Sequence, residues 1–369
     1  MKVLIVPDKF KGTLTAHQAA EAVAQGWKTT RSSDDLELLP MTDGGDGFGE
    51  ILGHLLQAER DDSRTVNAAH EPIEGEWWWS ESRQTAIVES AKVIGLAMLP
   101  AGKFHPFQLD TLGLGELLRY IASIHSQARL LIGIGGSATN DAGFGMALGL
   151  GYRFYEGSNH RLERWPELDR LFHIAPPEKP AGFSHITIAC DVQNPLLGPE
   201  GASRIYGPQK GLRAEDFPIA DRCFERLTEI VKRDLNRDYA AEPGTGAAGG
   251  LGYGLRAFLK GEFKPGFEIF AEAAQLREKI ARVDLVITGE GAMDRQTAMG
   301  KGTGAVAKLA HEAGKPCIAL AGHVSPELMV GLFKLALGIT PTLAQKDEAL
   351  RDPFKWLARL SEIASKNFF

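Results

Sequence analysis

The chain has 369 residues, a net charge of -6 and a pI near 6.0, with no basic run along it. This charge balance predicts no basic surface that would bind nucleic-acid phosphates, so a nucleic-acid partner is not expected. No stretch approaches the roughly 20 apolar residues that a membrane span needs, so a membrane partner is not expected either. With 44% hydrophobic and 24% charged residues, the composition predicts a globular protein, and the length predicts two domains. The cysteines are far apart in sequence and predict a reducing, cytoplasmic location.

Strands and helices alternate at both ends of the chain. Residues 2–7 form a short β-branched run that predicts a buried strand, and a helix over 15–26 with Thr13 or Thr15 as its N-cap follows. The remaining predicted elements of this kind are strands over 36–40, 285–288, 317–321 and 335–339 and helices over about 48–57, 304–313 and 347–365. Such alternation predicts a parallel sheet with helices on both faces.

The middle of the chain has a different pattern. Residues 64–68, 75–80 and 85–89 are typical of the short strands of a meander. They are followed by a helix over 112–124 and by strands over 130–134, near 151–155 and over 185–190. We therefore predict an α/β protein in which a doubly wound domain of residues 1–62 plus 263–369 carries an inserted mixed α/β domain of residues 63–262.

Charged loops follow the first two strands, where ligands of open α/β sheets bind. The segment PDKFKG, 7–12, contains Asp8, Lys9 and Lys11, although a solvated charged turn would explain it if it stood alone. The segment TDGGDG, 42–47, has glycines that permit close approach of a ligand, while Asp43 and Asp46 project from the loop. Lysines near paired acids are typical of a site for a phosphate and its Mg²⁺.

Polar loops also follow the strands of the middle section. In GGSATNDAG, 135–143, a helix N-terminus with Ser137, Asn140 and Asp141 would cradle an anion, although capping alone explains Asn140 or Asp141. In CDVQNPLLGPEGA, 190–202, Asp191 stands where a catalytic or metal-binding carboxylate would lie. For Asn194 in that segment, substrate binding and a structural Asn-Pro turn are equal alternatives.

Two further loops complete the set of candidate sites. The segment PGTGAAGGLG, 243–252, fits neither a Walker A loop nor a GxGxxG motif, yet its backbone amides could cradle phosphates. The residues of this segment predicted to do so are Gly244, Thr245, Gly246, Gly249 and Gly250. After the strand over 285–288, the polar residues predicted to meet a ligand are Glu290, Asp294, Gln296 and Lys301.

Together with ITGEGAMDRQTAMGKG, 287–302, these segments resemble the bacterial glycerate kinases of the two-domain type over nearly the whole chain. The resemblance implies ATP- and Mg²⁺-dependent phosphorylation of D-glycerate, at the 2-hydroxyl to give 2-phosphoglycerate and ADP, or alternatively at the 3-hydroxyl. It also implies a flavodoxin-like or Rossmann-like domain with an inserted α/β domain. We expect a monomer or homodimer.

A mechanism follows as a hypothesis from these residue types. Lys9 and Lys11 would bind phosphate or carboxylate, Asp43 and Asp46 would hold Mg²⁺, and Asp191 would accept the proton of the attacking hydroxyl. Which loop binds the nucleotide and which binds glycerate stays open.

Two other functional classes fit the glycine-rich loops in isolation. A non-catalytic sensor of a phosphorylated metabolite would keep the glycines and lose the acids, whereas the acids are present here. An NAD-dependent dehydrogenase would require GxGxxG after the first strand, and that motif is missing.

Overall fold

In a computed structural model of the chain, the structure describes residues 1–157, 159–294, 297, 302–325 and 331–368. Its strands are β1 (Lys2–Pro7), β2 (Asp35–Leu38), β3 (Glu59–Val66), β4 (Pro72–Ser80), β5 (Thr85–Glu89), β6 (Arg129–Gly133), β7 (Arg153–Glu156), β8 (Leu171–Ala175), β9 (His185–Ala189), β10 (Glu262–Lys264), β11 (Leu285–Met293), β12 (Cys317–Val324) and β13 (Leu335–Thr340). The predicted α/β fold class is confirmed.

The α-helices include close matches to those predicted over 15–26, 48–57, 112–124 and 304–313, whose ends agree within two residues. They are α1 (Ala16–Lys28), α2 (Phe48–Leu55), α3 (Ala91–Ile94), α4 (Leu112–Ile124), α5 (Phe144–Gly149), α6 (Ala202–Tyr206), α7 (Phe217–Leu235), α8 (Ala247–Leu259), α9 (Gly266–Ala273), α10 (Leu276–Ala281), α11 (Thr303–Glu312), α12 (Lys346–Arg351) and α13 (Pro353–Asn367). Among the described residues, no helix is long and apolar enough to cross a membrane.

The chain divides into two compact units, of which the first consists of Met1–Asp43 and Phe267–Phe369. Its sheet has the order β13-β12-β11-β1-β2, with every neighbouring pair parallel. Alternate side chains of a strand point to opposite faces, and both faces of this sheet are covered: Ile5 packs with α1 and α13, and its neighbour Leu4 is also fully buried.

Local sequence signals explain where the helices of the first unit begin and end. The predicted N-cap Thr15 accepts a hydrogen bond from the N–H of Gln18, and the Gln18 side chain accepts one from the N–H of Thr15. This capping box satisfies two N–H groups at the start of α1 and stabilises it by about 1 kcal/mol. The single helix predicted over 347–365 is wrong, because the chain breaks at Asp352, before Pro353, into α12 and α13.

The second unit is Gly44–Gly266, and its main sheet has the order β10-β9-β6-β5-β4-β3. The predicted meander is confirmed, since β3, β4 and β5 pair antiparallel, whereas β5, β6, β9 and β10 run parallel. Strand β3 begins five residues before its predicted start at Arg64, because charged residues such as Asp61 and Asp62 are tolerated on this exposed edge strand. The 19-residue helix α7 was not predicted.

The first boundary between the compact units lies earlier than the predicted one after residue 62. Helix α2 packs on β4, where a Cβ on Gly49 or Gly53 would come within 2.0 or 2.6 Å of the Trp78 ring. These small residues let α2 lie directly against Trp78, so α2 clusters with the second unit. As a statement about separate domains, the division of residues 1–62 and 263–369 from residues 63–262 stays a prediction.

Candidate active-site loops

In the first unit, charged side chains meet at the carboxyl ends of β1, β2 and β11. Lys9 follows β1, and its Nζ lies 3.1 Å from Oδ1 of Asp43, which comes after β2. The backbone N–H of Lys9 donates to Oδ1 of Asp8 at 2.7 Å, and the N–H of Asp8 donates to the carbonyl oxygen of Gly289 in β11 at 2.8 Å. Parallel pairing of β1 with β2 and β11 therefore brings together residues that are distant in sequence.

Electrostatics in this cluster disfavour full ionisation of the acids. Burial, assisted by the negative charge of Asp43, raises the pKa of Asp8 to about 7, although Lys9 opposes the rise. Burial also raises the pKa of Glu290, whose Oε1 accepts a hydrogen bond from Thr297 Oγ1 at 2.8 Å. A bound cation would relieve this repulsion, so the cluster has the charge that a cation site requires.

The other predicted residues of the first unit are more exposed or lie outside the described residues. Lys11 is exposed, and so is Asp294, whose backbone N–H donates to Thr297 Oγ1 at 3.3 Å. Strand β11 continues through Met293, so the predicted loop begins later than expected. Gln296 and Lys301 lie outside the described residues. Within the described parts of the chain, no three His, Cys, Asp or Glu side chains form a group arranged to hold a metal ion.

In the second unit, the loop between β6 and α5 is held by a lysine that was not predicted. Lys210 ends the short 3-10 helix Pro208–Lys210, and its Nζ donates to Ser137 Oγ at 3.0 Å and to the Thr139 carbonyl oxygen at 2.6 Å. Burial lowers the pKa of Lys210 to about 7, opposed by the charge of Asp141. Ser137 Oγ donates in turn to the carbonyl oxygen of Ala248 at 3.0 Å.

Asp141 is fully buried and holds the starts of two helices. Its Oδ2 accepts hydrogen bonds from the Thr111 hydroxyl at 2.7 Å, from the Thr111 N–H at 3.0 Å and from the Gly145 N–H at 2.9 Å. Burial, followed by the charge of Asp110, raises the pKa of Asp141 to about 6. These contacts agree with the capping alternative, and a substrate contact by Asp141 stays a prediction.

Asn140 lies one residue earlier and is also fully buried. Its Nδ2 donates to Ser203 Oγ at 3.2 Å, while Oδ1 has no hydrogen-bond partner. The neighbouring Thr139 Oγ1 is likewise buried without a partner. Because buried polar atoms are almost always paired, two adjacent exceptions are unusual in a folded protein.

The glycine-rich segment 243–252 packs against the β6–α5 loop. A Cβ on Gly249, whose φ is +70°, would lie 2.0 Å from the carbonyl oxygen of Thr139, and one on Gly250 would lie 2.7 Å from Cα of Ala142. A Cβ on Gly246 would lie 2.1 Å from the Pro195 carbonyl oxygen. These glycines therefore permit close approach of backbone to backbone.

The remaining predicted members of that segment also make internal contacts. Gly244, with φ of +91°, lies beside the Phe263 ring, and Thr245 Oγ1 donates to the carbonyl oxygen of Glu242 at 2.7 Å. Phosphate binding by residues 244–250 stays a prediction.

Asp191 and Asn194 both follow β9 but differ in their contacts. Oδ1 of Asp191 accepts a hydrogen bond from the N–H of Gly266 at 3.0 Å, and the side chain remains partly exposed. Asn194 donates through Nδ2 to the Glu200 carbonyl oxygen at 2.9 Å and accepts from the Tyr206 hydroxyl at 2.6 Å. These contacts hold the loop together, as the structural alternative for Asn194 requires.

Asp46 is exposed, and it belongs to the second unit, whereas Asp43 belongs to the first. The start of α2, directly after Asp46, is held by buried Glu89, which accepts hydrogen bonds from the N–H groups of Gly47 at 3.2 Å and Gly49 at 3.0 Å. Burial raises the pKa of Glu89, and the charge of Asp46 adds to the rise.

Comparison with known proteins places the chain in a family. A model described as "Glycerate kinase family" matches residues 3–367. The chain belongs to the glycerate kinase family. The resemblance inferred from the loop segments is thereby confirmed, as is the prediction that the chain is an enzyme of this family.

Several relatives of this glycerate kinase family member match along its whole length. A glycerate kinase of Halalkalibacterium halodurans is 35% identical over 95% of the chain and 93% of the relative. A glycerate 2-kinase of Escherichia coli strain K12 is 34% identical over 98% and 96%. A crystal structure of a Salmonella typhimurium LT2 protein assigned as glycerate kinase 2 has a TM-score of 0.82 at 32% identity, covering 100% of this chain and 98% of the other.

Sequence reasoning missed two buried charged residues of this family member. Lys210 stands in the segment YGPQKG, 206–211. This segment has the turn residues of an ordinary loop and lacks the runs of acids or glycines that marked the predicted sites. Glu89 is the last residue of β5, at the carboxyl end of a β-branched strand, and this position was the signal that could have identified it.

Proposed function

We propose that this glycerate kinase family member transfers a phosphoryl group from ATP to the 2-hydroxyl of D-glycerate, giving 2-phosphoglycerate and ADP. Family membership along 3–367 supports the substrate class, and the Escherichia coli relative named glycerate 2-kinase supports the choice of hydroxyl. The 3-hydroxyl is the alternative. Cytoplasmic location and a monomeric or homodimeric state stay predictions.

The observation that carries the proposal is the charged cluster of the first unit. Lys9 lies 3.1 Å from Asp43 and is adjacent to half-buried Asp8, at the carboxyl edge of an all-parallel sheet. Phosphoryl transfer requires little covalent chemistry from the protein, because it depends mainly on alignment and on cations that neutralise the phosphate oxygens. An ammonium held by a carboxylate at a strand end supplies one such cation.

The carboxylates that follow β1 and β2, Asp8 and Asp43, fit the metal that the reaction class implies. Mg²⁺ is bound by one or two carboxylates together with water and substrate phosphates, so a protein site of three acidic ligands is not required. We propose that Asp43 and Asp46 hold Mg²⁺. The pKa of Asp8 is raised by burial and then by the negative charge of Asp43, and a cation would compensate that charge. When bound, Mg²⁺ supplies charge neutralisation at the phosphates.

The protein groups have separate tasks in this proposal. Lys9 and Lys11 bind phosphate or carboxylate oxygens, and Asp191 accepts the proton from the attacking hydroxyl. Asp191 suits this task because it is partly exposed and one of its oxygens is oriented by the Gly266 N–H at 3.0 Å. The β6–α5 loop and residues 244–250 would orient the substrate or the phosphates.

The first experiment is a coupled ADP-release assay with MgATP and D-glycerate, followed by phosphorus NMR of the product. We expect glycerate-dependent ADP release and a 2-phosphoglycerate signal. A 3-phosphoglycerate signal would contradict the choice of hydroxyl while keeping the substrate. No ADP release above the rate without glycerate would contradict the substrate itself, and a panel of hydroxy acids would then be screened by thermal shift.

A further inference from the structure

Lys210 is a buried lysine whose position no sequence motif explains. It has 7% of its surface exposed, and its Nζ donates to Ser137 Oγ at 3.0 Å and to the Thr139 carbonyl oxygen at 2.6 Å. Both acceptors belong to one short loop, more than 70 residues earlier in the chain, that follows β6 in the middle of the main sheet of the second unit. The lysine is therefore a cross-link between distant segments.

A buried ammonium is unfavourable unless its surroundings compensate it. Within the described part of the chain, no carboxylate oxygen lies within 4.0 Å of Lys210 Nζ, and the charge of Asp141 is the favourable electrostatic contribution nearby. A methionine of similar length would avoid the desolvation of a charge at this position. A lysine at this position thus has a free-energy cost of desolvation that packing alone does not explain.

Three segments meet at Lys210. The first is the β6–α5 loop, whose Ser137 donates to the Ala248 carbonyl oxygen at 3.0 Å. The second is the glycine-rich segment, where a Cβ on Gly249 would lie 2.9 Å from Lys210 Nζ and 2.0 Å from the Thr139 carbonyl oxygen. The third is the 3-10 helix that carries Lys210 itself. Because the segments touch through backbone atoms, a small displacement of one is transmitted to the others.

In the centre of the β6–α5 loop, the loop's own side chains do not provide an equivalent anchor, whereas Asp141 holds its C-terminal end. Thr139 Oγ1 and Asn140 Oδ1 are buried and have no hydrogen-bond partner. The loop is thus held in its centre by its contacts to Lys210, by the N–H of Ala138 donating to the Ile94 carbonyl oxygen at 2.8 Å, and by Asn140 Nδ2 at Ser203. Of these contacts, only that of Lys210 uses a charged donor, and charged donors form the stronger hydrogen bonds.

From this geometry we propose that Lys210 is a positioning residue for the reaction, which fixes residues 137–140 in the conformation that orients the substrate. The proposal rests on the proposed function, because it assigns the β6–α5 loop to substrate orientation. Lys210 acts through Ser137 and Thr139 and does not touch the reacting atoms. Misplacement of an orienting loop by about 1 Å can reduce turnover about 100-fold.

The test compares Lys210→Met, which removes both donors, with Lys210→Gln, whose amide can still donate to the Thr139 carbonyl oxygen. The matched control is Lys179→Met, at an exposed lysine of the same unit. Steady-state kinetics with MgATP and D-glycerate, thermal unfolding, and hydrogen exchange of peptides covering residues 135–143 are measured on each full-length variant.

We expect Lys210→Met to lower kcat/KM for D-glycerate by about 10- to 100-fold, with an unfolding midpoint that is unchanged or raised. Exchange in residues 135–143 should be faster in Lys210→Met, Lys210→Gln should lie between it and the wild type, and Lys179→Met should match the wild type. If Lys210→Met does not fold, the comparison is made with Lys210→Gln, for which a loss of kcat/KM and faster exchange are expected.

Two results would overturn the proposal. One is a kcat/KM within about twofold of the wild type in the folded Lys210 variants. The other is unchanged exchange in residues 135–143. Failure of the proposed function gives a different result. A wild type that does not phosphorylate glycerate has no kcat/KM to compare, whereas the effect of Lys210→Met on exchange in residues 135–143 can still be measured and reports loop positioning.

Discussion

The loops of the first and second units both follow parallel strands, yet they use their polar residues differently. In the first unit, Lys9 and Asp43 form an ion pair with side chains 20% and 43% exposed, so both are accessible to a ligand. In the second unit, Lys210 and Asp141 are almost completely buried, and their hydrogen bonds are made to the protein. The presence of a charged residue after a strand is therefore not enough to identify a ligand site. Its burial and its hydrogen-bond partners decide whether a ligand can reach it.

The physical difference lies in what compensates each charge. Asp141 is surrounded by three N–H and O–H donors from the starts of two helices, so its carboxylate is satisfied without a ligand. Asp8 has one backbone donor, and its pKa is raised by burial and then by the neighbouring charge of Asp43. The first arrangement stabilises loops. In the second, the repulsion between the two carboxylates is not fully compensated, and a bound cation would reduce it.

Asp191 is the strongest test of this contrast, since this acid after β9 is partly exposed, whereas Asp141 after β6 is fully buried. We expect Asp191→Asn to lower kcat by about 10²- to 10⁴-fold with little change in the Michaelis constants, because a general base is lost while the Gly266 contact can persist. Steady-state kinetics measure the effect, with Asp238→Asn on the same unit's surface as the control. Unchanged turnover would remove Asp191 from the role of base.

Lys9 tests the accessible cluster of the first unit. Lys9→Met should lower kcat/KM by about 10²- to 10³-fold, because one cation that stabilises the transferring phosphate is lost. Lys11→Met should have a smaller effect, since Lys11 is exposed. The control is Lys366→Met in α13, whose ammonium pairs with Glu362. Equal losses of kcat/KM in Lys9→Met and Lys11→Met would mean that the contact with Asp43 does not give Lys9 a larger role in the reaction than Lys11.

Gly249 tests whether the glycine-rich segment of the second unit is built for close backbone packing. Gly249→Ala should lower the free energy of unfolding by about 3 kcal/mol or more, because its Cβ would meet the Thr139 carbonyl oxygen. Gly198→Ala is the matched control: its φ is also positive, at +90°, but nothing lies within 4 Å of the added Cβ. It should lose about 1 kcal/mol from backbone strain alone. Denaturant unfolding separates the two effects.

Lys210 should also make the stability of the protein depend on pH. Its pKa is about 7 in the folded protein and 10.5 in the reference state, so the unfolded chain binds more protons between these values. The stability of the wild type relative to Lys210→Met should therefore be greatest above pH 10.5 and fall as the pH decreases toward 7. From these two pKa values we expect a change of about 3 kcal/mol between pH 7 and pH 9.5, measured by urea unfolding. A flat difference would show that Lys210 keeps an ordinary pKa.

Much of the fold could be predicted because its signals are local. The meander, the N-cap at Thr15, and the helix over 112–124 each depend on residues adjacent in sequence. The extent of β11 could not be predicted, because Gly289–Met293 become a strand only through pairing with β12. Pairing of this kind depends on a distant segment, and the glycines of 289–293 disfavour a strand on their own.

The candidate site was predicted in part for the same reason. Asp8, Lys9 and Asp43 were selected as charges after strands, and the structure brings them together in one cluster of the first unit. Asn194 and Asp141 were selected by the same rule, and the structure shows them in internal hydrogen bonds. Spacing along the chain cannot separate these outcomes, since both groups occur in polar loops of similar composition.

The sequence by itself determined the alternation of strands and helices, the positions of the polar loops and, through their motifs, the glycerate kinase family to which the chain belongs. Only the tertiary structure decided which charges are exposed and which are buried. Lys210 became part of the β6–α5 loop because folding brings it to Ser137 and Thr139. Burial and hydrogen-bond partners are properties of contacts between distant segments, and these contacts decide whether a polar residue meets a ligand or holds the protein together.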